Sequence, residues 1–379
     1  MTAMTDQFSG RPRYRIPFID LKEIHRRNST ALAEAVRRVV GRQWYVLGPE
    51  LEAFEREFAR SLRARYCVGV ASGFDALTLS LLALGLDAAD EVVLPANTFI
   101  ATYLAVFAAG ARPVLCDVDP ETHNVSVETL RRAVTRRTRV VLPVHLFGSP
   151  CPMGEIRSFA RKRGLHVVED AAQAHGAQLD GRAVGTFGDF GAFSFYPGKN
   201  LGAFGDGGAV VCRTRTHWQR LLRLRNYGFR VKNYAVSYGV NSRLDEIHSA
   251  VLRAKLPGLA AGNAVRNRHA AQYKECLGPV VACQQVLPGA RSCYHAFVVR
   301  VPRRDRVLRE LRRRGIEAMV HYPWPVHRQP VYRKLSGPAP ELPVAERLAR
   351  EVLSLPVDLH MDRARIEEVA GRVRRLAAG

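Results

Sequence analysis

Between Tyr66 and Cys212, short apolar runs alternate with amphipathic stretches, and this alternation constrains the fold more than any other feature of the chain. The strand-like runs cover 66–71, 91–95, 113–117, 140–144, 166–170, 192–196 and 209–212. Between the first five lie segments with apolar residues at helical spacing, at 76–84, 101–109, 127–134 and 153–163. Such alternation implies a mostly parallel sheet covered by helices on both faces, because each crossover helix must bury its apolar stripe. Ligands then sit at the carboxyl ends of the strands. The expectation is an α/β fold on a mostly parallel seven-stranded sheet.

The pattern breaks near Leu256-Pro257-Gly258-Leu259, after which a helix (261–277), a strand (294–301), an arginine-rich helix (304–314) and a last helix (364–376) suggest a smaller α+β unit. A chain of 379 residues exceeds the usual size of one domain. The expected division is a large domain with an N-terminal arm, 1–255, and a small C-terminal domain, 256–379. The first 15 residues are polar and basic, unlike a secretory signal, and the apolar run 100–111 is too short for a bilayer. The expected location is cytoplasmic, with no membrane partner. Seven scattered cysteines without a CxxC pair fit core packing in a reducing compartment.

The net charge of +22 raises the question of nucleic acid. The arginines lie along helix-like segments such as Leu308-Arg309-Glu310-Leu311-Arg312-Arg313-Arg314, with no DNA-binding motif beside them. They read as solvated helix faces, or as a field that also attracts anionic ligands. Nucleic acid is not an expected partner.

Chemistry concentrates in two places. Lys199 lies in Phe193-Ser194-Phe195-Tyr196-Pro197-Gly198-Lys199-Asn200-Leu201-Gly202, bracketed by strand-like runs, and Asp170 closes the run at His166-Val167-Val168-Glu169-Asp170. A lysine able to form a Schiff base and a carboxylate able to pair with a pyridinium nitrogen are what a pyridoxal phosphate (PLP) site requires. A P-loop is excluded, since Phe193 and Asn200 replace its glycine and hydroxyl residue. Asp170 also fits a helix N-cap, and Gln173 fits either a partner for the cofactor's ring hydroxyl or a capping-box residue. In Cys67-Val68-Gly69-Val70-Ala71-Ser72-Gly73-Phe74, a strand meets a helix start, where the amides of Gly73 and Phe74 offer an anion site. Ser194 could add a hydroxyl there. Phe99, just past a strand end, suits either ring stacking or core packing.

These pieces, in this order, resemble the DegT/DnrJ/EryC1/StrS sugar aminotransferases. The similarity runs from Pro17-Phe18-Ile19-Asp20-Leu21 through Glu169-Asp170-Ala171-Ala172-Gln173-Ala174-His175-Gly176 and the lysine block to Asn241-Ser242-Arg243-Leu244-Asp245-Glu246 and His321-Tyr322-Pro323. The resemblance implies PLP fold-type I, the aspartate aminotransferase-like architecture. It makes Lys199 the cofactor's covalent anchor and proton carrier, Asp170 the pyridinium partner, Gln173 the hydroxyl partner and Phe99 the stacking ring. Ser194 with the Gly73 and Phe74 amides becomes the phosphate cup. Asn241 would reach the neighbouring subunit's phosphate, implying a homodimer with shared sites. Phe74 stands where Thr is usual, leaving only a backbone contact, and Lys199 argues against the dehydrating branch, which carries His there.

The stretch His321-Tyr322-Pro323-Trp324-Pro325-Val326-His327, with Tyr196 beside the lysine, resembles the branch that aminates C3 of nucleotide-linked sugars. His321, Tyr322 and His327 then either line a sugar pocket or pack the loop, and no third ligand accompanies the histidines, so no metal is expected. The implied reaction moves nitrogen from glutamate to a dTDP-3-keto-6-deoxyhexose. A 4-keto nucleotide sugar or keto-inositol is the alternative within the class, and a PLP-containing regulator or nucleic-acid-binding protein the alternative outside it.

Overall fold

The computed structural model describes residues 14–378. Its centre is a seven-stranded sheet built from β1 (Tyr66–Val70), β2 (Glu91–Pro95), β3 (Arg112–Cys116), β4 (Thr138–Val141) and β5 (His166–Asp170), followed, after the short hairpin β6 (Gln178–Leu179) and β7 (Arg182–Ala183), by β8 (Phe190–Ser194) and β9 (Gly208–Cys212). The order across the sheet is β1-β9-β8-β5-β4-β2-β3. Only β9 runs against its neighbours, and every other pairing is parallel. Central strands such as β2, β8 and β9 are buried throughout, as expected of a sheet covered on both faces.

The helix Gly73–Leu84 shows why these crossovers are stable. Ser72 caps it by accepting from Asp75 N at 3.1 Å, Gly85 ends it at φ +75°, and seven of its residues are buried. It packs on β8 and β9, which brings its N-terminus to the carboxyl end of the sheet.

Several expected boundaries shift. The strand expected at 192–196 spans Phe190–Ser194, because the chain turns at Tyr196 into Pro197, which has no N–H to give a ladder. The strand expected at 140–144 is Thr138–Val141, and Pro143 lies in the loop that follows. Among the described residues, three helices precede β1, at Leu21–Arg27, Ser29–Arg42 and Pro49–Leu62, where the sequence suggested an arm.

Past β9 comes an exposed hairpin, β10 (Phe229–Val231) with β11 (Tyr234–Ala235). The C-terminal part holds β12 (Ala282–Cys283), β13 (Ala290–Arg291), β14 (Phe297–Arg300) and β15 (Val352–Leu355). The sheet β12-β14-β15 carries a second hydrophobic core with the helices Leu259–Leu277, Arg304–Arg313 and Arg363–Ala378. The two cores do not divide cleanly at residue 256. Ile16, at the chain's beginning, belongs to the second core and bonds Gly315 O at 2.9 Å, while Tyr332, Ala345 and Leu348 belong to the first. The two units thus exchange segments, Ile16 joining the second core and Tyr332, Ala345 and Leu348 the first.

Candidate active site

The lysine loop is shaped by its own sequence. Lys199 N donates to Tyr196 O at 2.9 Å, closing a turn, and Ala203 N returns to Phe195 O at 2.8 Å. A Cβ on Gly202 would lie 2.4 Å from Pro197 O, so only glycine lets the loop fold back so tightly. Burial lowers the Lys199 amine to about 8, and the neighbouring Asp170 charge opposes the shift.

Asp170 ends β5 and is buried. One carboxylate oxygen accepts from Ala172 N at 3.1 Å and the other from Thr102 Oγ1 at 2.8 Å. Thr98 joins Thr102 at 2.8 Å. No helix follows Asp170, so the N-cap and capping-box readings fall away. Burial pushes its pKa up, whereas these hydrogen bonds and Lys199 pull it down. A cation on its open side would favour the carboxylate. Next to it, fully buried Glu169 accepts from the amides of Gly185, Phe187 and Gly188 and pairs with His145, which fixes the strand end.

Ser194 ends β8 against the helix Gly73–Leu84, so closely that a Cβ on Gly73 would lie 2.6 Å from Ser194 Cβ. The amides of Gly73 and Phe74 stand in the first turn, where helix geometry supplies no acceptor. The Phe74 ring packs on the core.

Above this floor stands a wall. Gln173 Oε1 accepts from Phe147 N at 2.7 Å, and its Nε2 donates to Tyr322 Oη at 3.0 Å, leaving one amide hydrogen. The Tyr322 ring lies 5.5 Å from Phe99. Phe99 is 53% exposed, which excludes the core reading, and Tyr196 is 55% exposed. His321 Nδ1 pairs with Ser354 Oγ at 2.8 Å.

One expected site residue lies elsewhere. The His327 side chain is fully buried and pairs with Glu346 Oε1 at 3.0 Å, so it packs the loop instead of lining a pocket. Asn241 is exposed and pairs with Asn226, while adjacent Ser242 bonds Ala71 N and Asp75 beside the start of the helix Gly73–Leu84. Asn241 thus borders its own subunit's cup, whereas the phosphate it is expected to serve is the neighbouring subunit's.

The sequence reading missed Thr102, His175, His295 and Asn200. His175 lies between Phe193 and Phe195, and burial with the nearby Lys199 charge lowers it to about 3. His295 is lowered well below its usual value and His321 to about 4, for the same two reasons. All three imidazoles are thus driven toward the neutral form beside Lys199. Asn200 Nδ2 ties the loop to Asn263 Oδ1 and Cys293 O, both at 2.9 Å.

A buried lysine of depressed basicity near a buried carboxylate, at the carboxyl end of a mostly parallel sheet, is the setting of a lysine that forms Schiff bases. The chain belongs to the DegT/DnrJ/EryC1/StrS aminotransferase family, whose model matches residues 27–374. It is 46% identical to a dTDP-3-amino-3,4,6-trideoxy-alpha-D-glucose transaminase from Streptomyces venezuelae, over 96% of each chain. Among solved structures, S. venezuelae DesV in complex with a ketimine intermediate superposes with a TM-score of 0.93 at 45% identity, covering 97% of this chain and all of that one. NtdA from Bacillus subtilis with bound cofactor PMP superposes at 0.88 with 29% identity, covering 97% and 86%.

Proposed function

We propose that this aminotransferase moves an amino group from glutamate to C3 of a dTDP-3-keto-6-deoxyhexose in deoxyamino-sugar biosynthesis, using pyridoxal 5'-phosphate. The observation that carries this reading is the single cluster formed by Lys199, Asp170, Gln173, Tyr322 and His321. The S. venezuelae relative, a C3-amino sugar transaminase by name, supports the substrate.

The residues fit the cofactor. Asp170 presents a carboxylate fixed by two donors, Gly73 leaves space against Ser194 that a side chain would fill, and Phe99 offers an exposed ring face. Bound there, pyridoxal phosphate supplies the electron sink for the negative charge left on carbon when a proton departs. Asp170 would hold the ring nitrogen protonated, Gln173 the ring hydroxyl, and Ser194 with the Gly73 and Phe74 amides the phosphate. Lys199 Nζ would hold and move the proton that leaves the donor carbon. His321 and the Tyr322 hydroxyl orient the sugar, with Tyr196 at the rim.

A homodimer with composite sites completes the proposal. The exposed Tyr227, Val231, Tyr234, Val236 and Tyr238, in and around the β10–β11 hairpin, form the kind of apolar surface that a second copy covers. Asn241, next to that segment, would serve the partner's phosphate.

The deciding experiment offers the purified enzyme 3-keto and 4-keto dTDP-sugars with glutamate and locates nitrogen in each product by NMR. Nitrogen at C3 is expected. Nitrogen at C4, or turnover of the 4-keto sugar alone, overturns the substrate assignment and leaves the cofactor assignment standing.

A further inference from the structure

At the amino end of the parallel strands, opposite Asp170 and Ser194, lie two cavities of about 630 and 550 Å³, with Gly188 and Arg213 in the lining of both. The second reaches His166 at the start of β5, whereas the catalytic cluster begins at Asp170, roughly 13 Å along the same strand. Six arginines line the pair: Arg63, Arg65, Arg182 and Arg213 in the first, Arg157 and Arg161 with Arg213 in the second. Two aspartates oppose them, Asp180 and Asp189. Asp189 is already engaged by His166 Nδ1 at 3.2 Å and by Val167 N at 3.0 Å.

Among the described residues none of these six arginines forms an ion pair, although elsewhere guanidiniums crowd onto acids, as Arg38, Arg42 and Arg253 do on Glu50. Arg182 is fixed in place. Its Nε donates to Thr186 Oγ1 at 3.1 Å, a second nitrogen donates to Thr186 O, and the guanidinium lies over the Phe187 ring, 4.4 Å from its centroid. The loop beneath is fixed as well, since the amides of Gly185, Phe187 and Gly188 all donate to buried Glu169. Arg157 comes from the helix Met153–Lys162, Arg182 from β7 and Arg213 from the end of β9, so three elements bring like charges to one place. Burial lowers the basicity of Arg182, and the charges of Arg157 and Arg213 lower it further, against Glu169. An anion between them relieves that repulsion.

We propose that these cavities bind an oligophosphate, two or three linked phosphates carried free or as the tail of a nucleotide, at a site separate from the catalytic one. Guanidinium forks match phosphate oxygens in pairs, and each cavity lies within the volume range of small-ligand sites. Concave walls favour a compact anion over a nucleic-acid strand, whose backbone needs an extended groove.

The test is calorimetry of the cofactor-loaded enzyme with sodium triphosphate. It compares the wild type with Arg157→Gln/Arg213→Gln and with Arg306→Gln/Arg309→Gln, which removes the same charge from exposed positions of the helix Arg304–Arg313. The first variant is expected to weaken triphosphate by about 10-fold or more, the range for losing charge-assisted hydrogen bonds, and the second by less than about twofold. The single variants Arg157→Gln and Arg213→Gln, each expected to cost about threefold or more, keep the test decisive should the double variant not fold. Phosphate held in the catalytic pocket does not touch either residue, so the loss reads the distal site. Adenosine triphosphate distinguishes the two sources: tighter binding than triphosphate assigns the site to a nucleotide, and equal binding to the free oligophosphate. Equal losses in the two double variants overturn the proposal, because the general positive field would then account for the binding. Unchanged affinity in the variants at Arg157 and Arg213 also overturns it. So does a short DNA duplex that binds the wild type more tightly than triphosphate and is lost in Arg157→Gln/Arg213→Gln, which would make this face a nucleic-acid surface.

Discussion

Asp170 and Ser194 stand at the ends of adjacent central strands, and Lys199 sits in the turn that follows; His321, Tyr322 and Trp324 ride on a connection between the helices Arg304–Arg313 and Pro330–Ser336. The first group is held by backbone geometry: strand pairing, the Ala172 amide and the close approach of Gly73 to Ser194. The second is held by side chains and prolines: Tyr322 on Gln173, His321 on Ser354, and Trp324 between Pro323 and Pro325. A floor fixed by the sheet suits chemistry shared by both half-reactions. A wall fixed by a few replaceable side chains suits the choice of sugar. Floor substitutions should therefore damage both half-reactions, and wall substitutions chiefly the one that uses the sugar.

The largest expected effect is at the floor. Lys199→Ala removes the nucleophile and the proton carrier together, so transamination should fall by at least about 10⁴-fold in both half-reactions, measured by single turnover with each substrate. A surviving glutamate half-reaction would break the comparison.

The second effect is a pH dependence. Only the neutral amine attacks a carbonyl, and burial lowers Lys199 to about 8. The rate at which cofactor-free protein captures pyridoxal phosphate should rise with pH through about 8 and then level off. Each unit below that midpoint costs about tenfold in neutral amine. Stopped-flow absorbance checks this, and a midpoint near the ordinary lysine value would mean that Lys199 is not desolvated.

The floor was legible before the structure because residue type, spacing and strand position all pointed one way: Asp170 closes one apolar run, and Lys199 follows another among glycines. Thr102 was not, since a threonine one turn into a helix looks like any other until the fold carries it 2.8 Å from Asp170. His175 and His295 were silent for the same reason, each reaching Lys199 across the fold. The helix Ser29–Arg42 buries only Leu32, Ala35 and Val39, too thin a stripe to stand out from an arm. Strand β15 follows the helix Pro343–Glu351 directly, with no turn residue to announce it. The wall residues were visible as a motif, but spacing alone could not show which side chains face the pocket.

At the wall, Tyr322→Phe removes the hydroxyl that accepts from Gln173. One neutral hydrogen bond is worth about 1 kcal/mol, so kcat/KM for the keto sugar should fall by roughly 5- to 10-fold, with a smaller loss in the glutamate half-reaction. Equal losses in both would place Tyr322 with the floor.

The smallest effect separates the pocket wall from the packing behind it. His327 lies five residues beyond Tyr322, yet its side chain is fully buried against Glu346, which Arg328 also holds. Burial lowers the His327 pKa and Glu346 raises it, so the ring answers to its packing partners and not to the lysine cluster. His327→Gln keeps a donor for Glu346 but loses the ring's fit, which should lower stability by about 1 kcal/mol in urea denaturation. KM for the keto sugar should stay within about twofold, because the His327 side chain does not reach the surface that a sugar could touch. A tenfold rise in KM at unaltered stability would return His327 to the pocket and extend the wall one turn further than its burial allows.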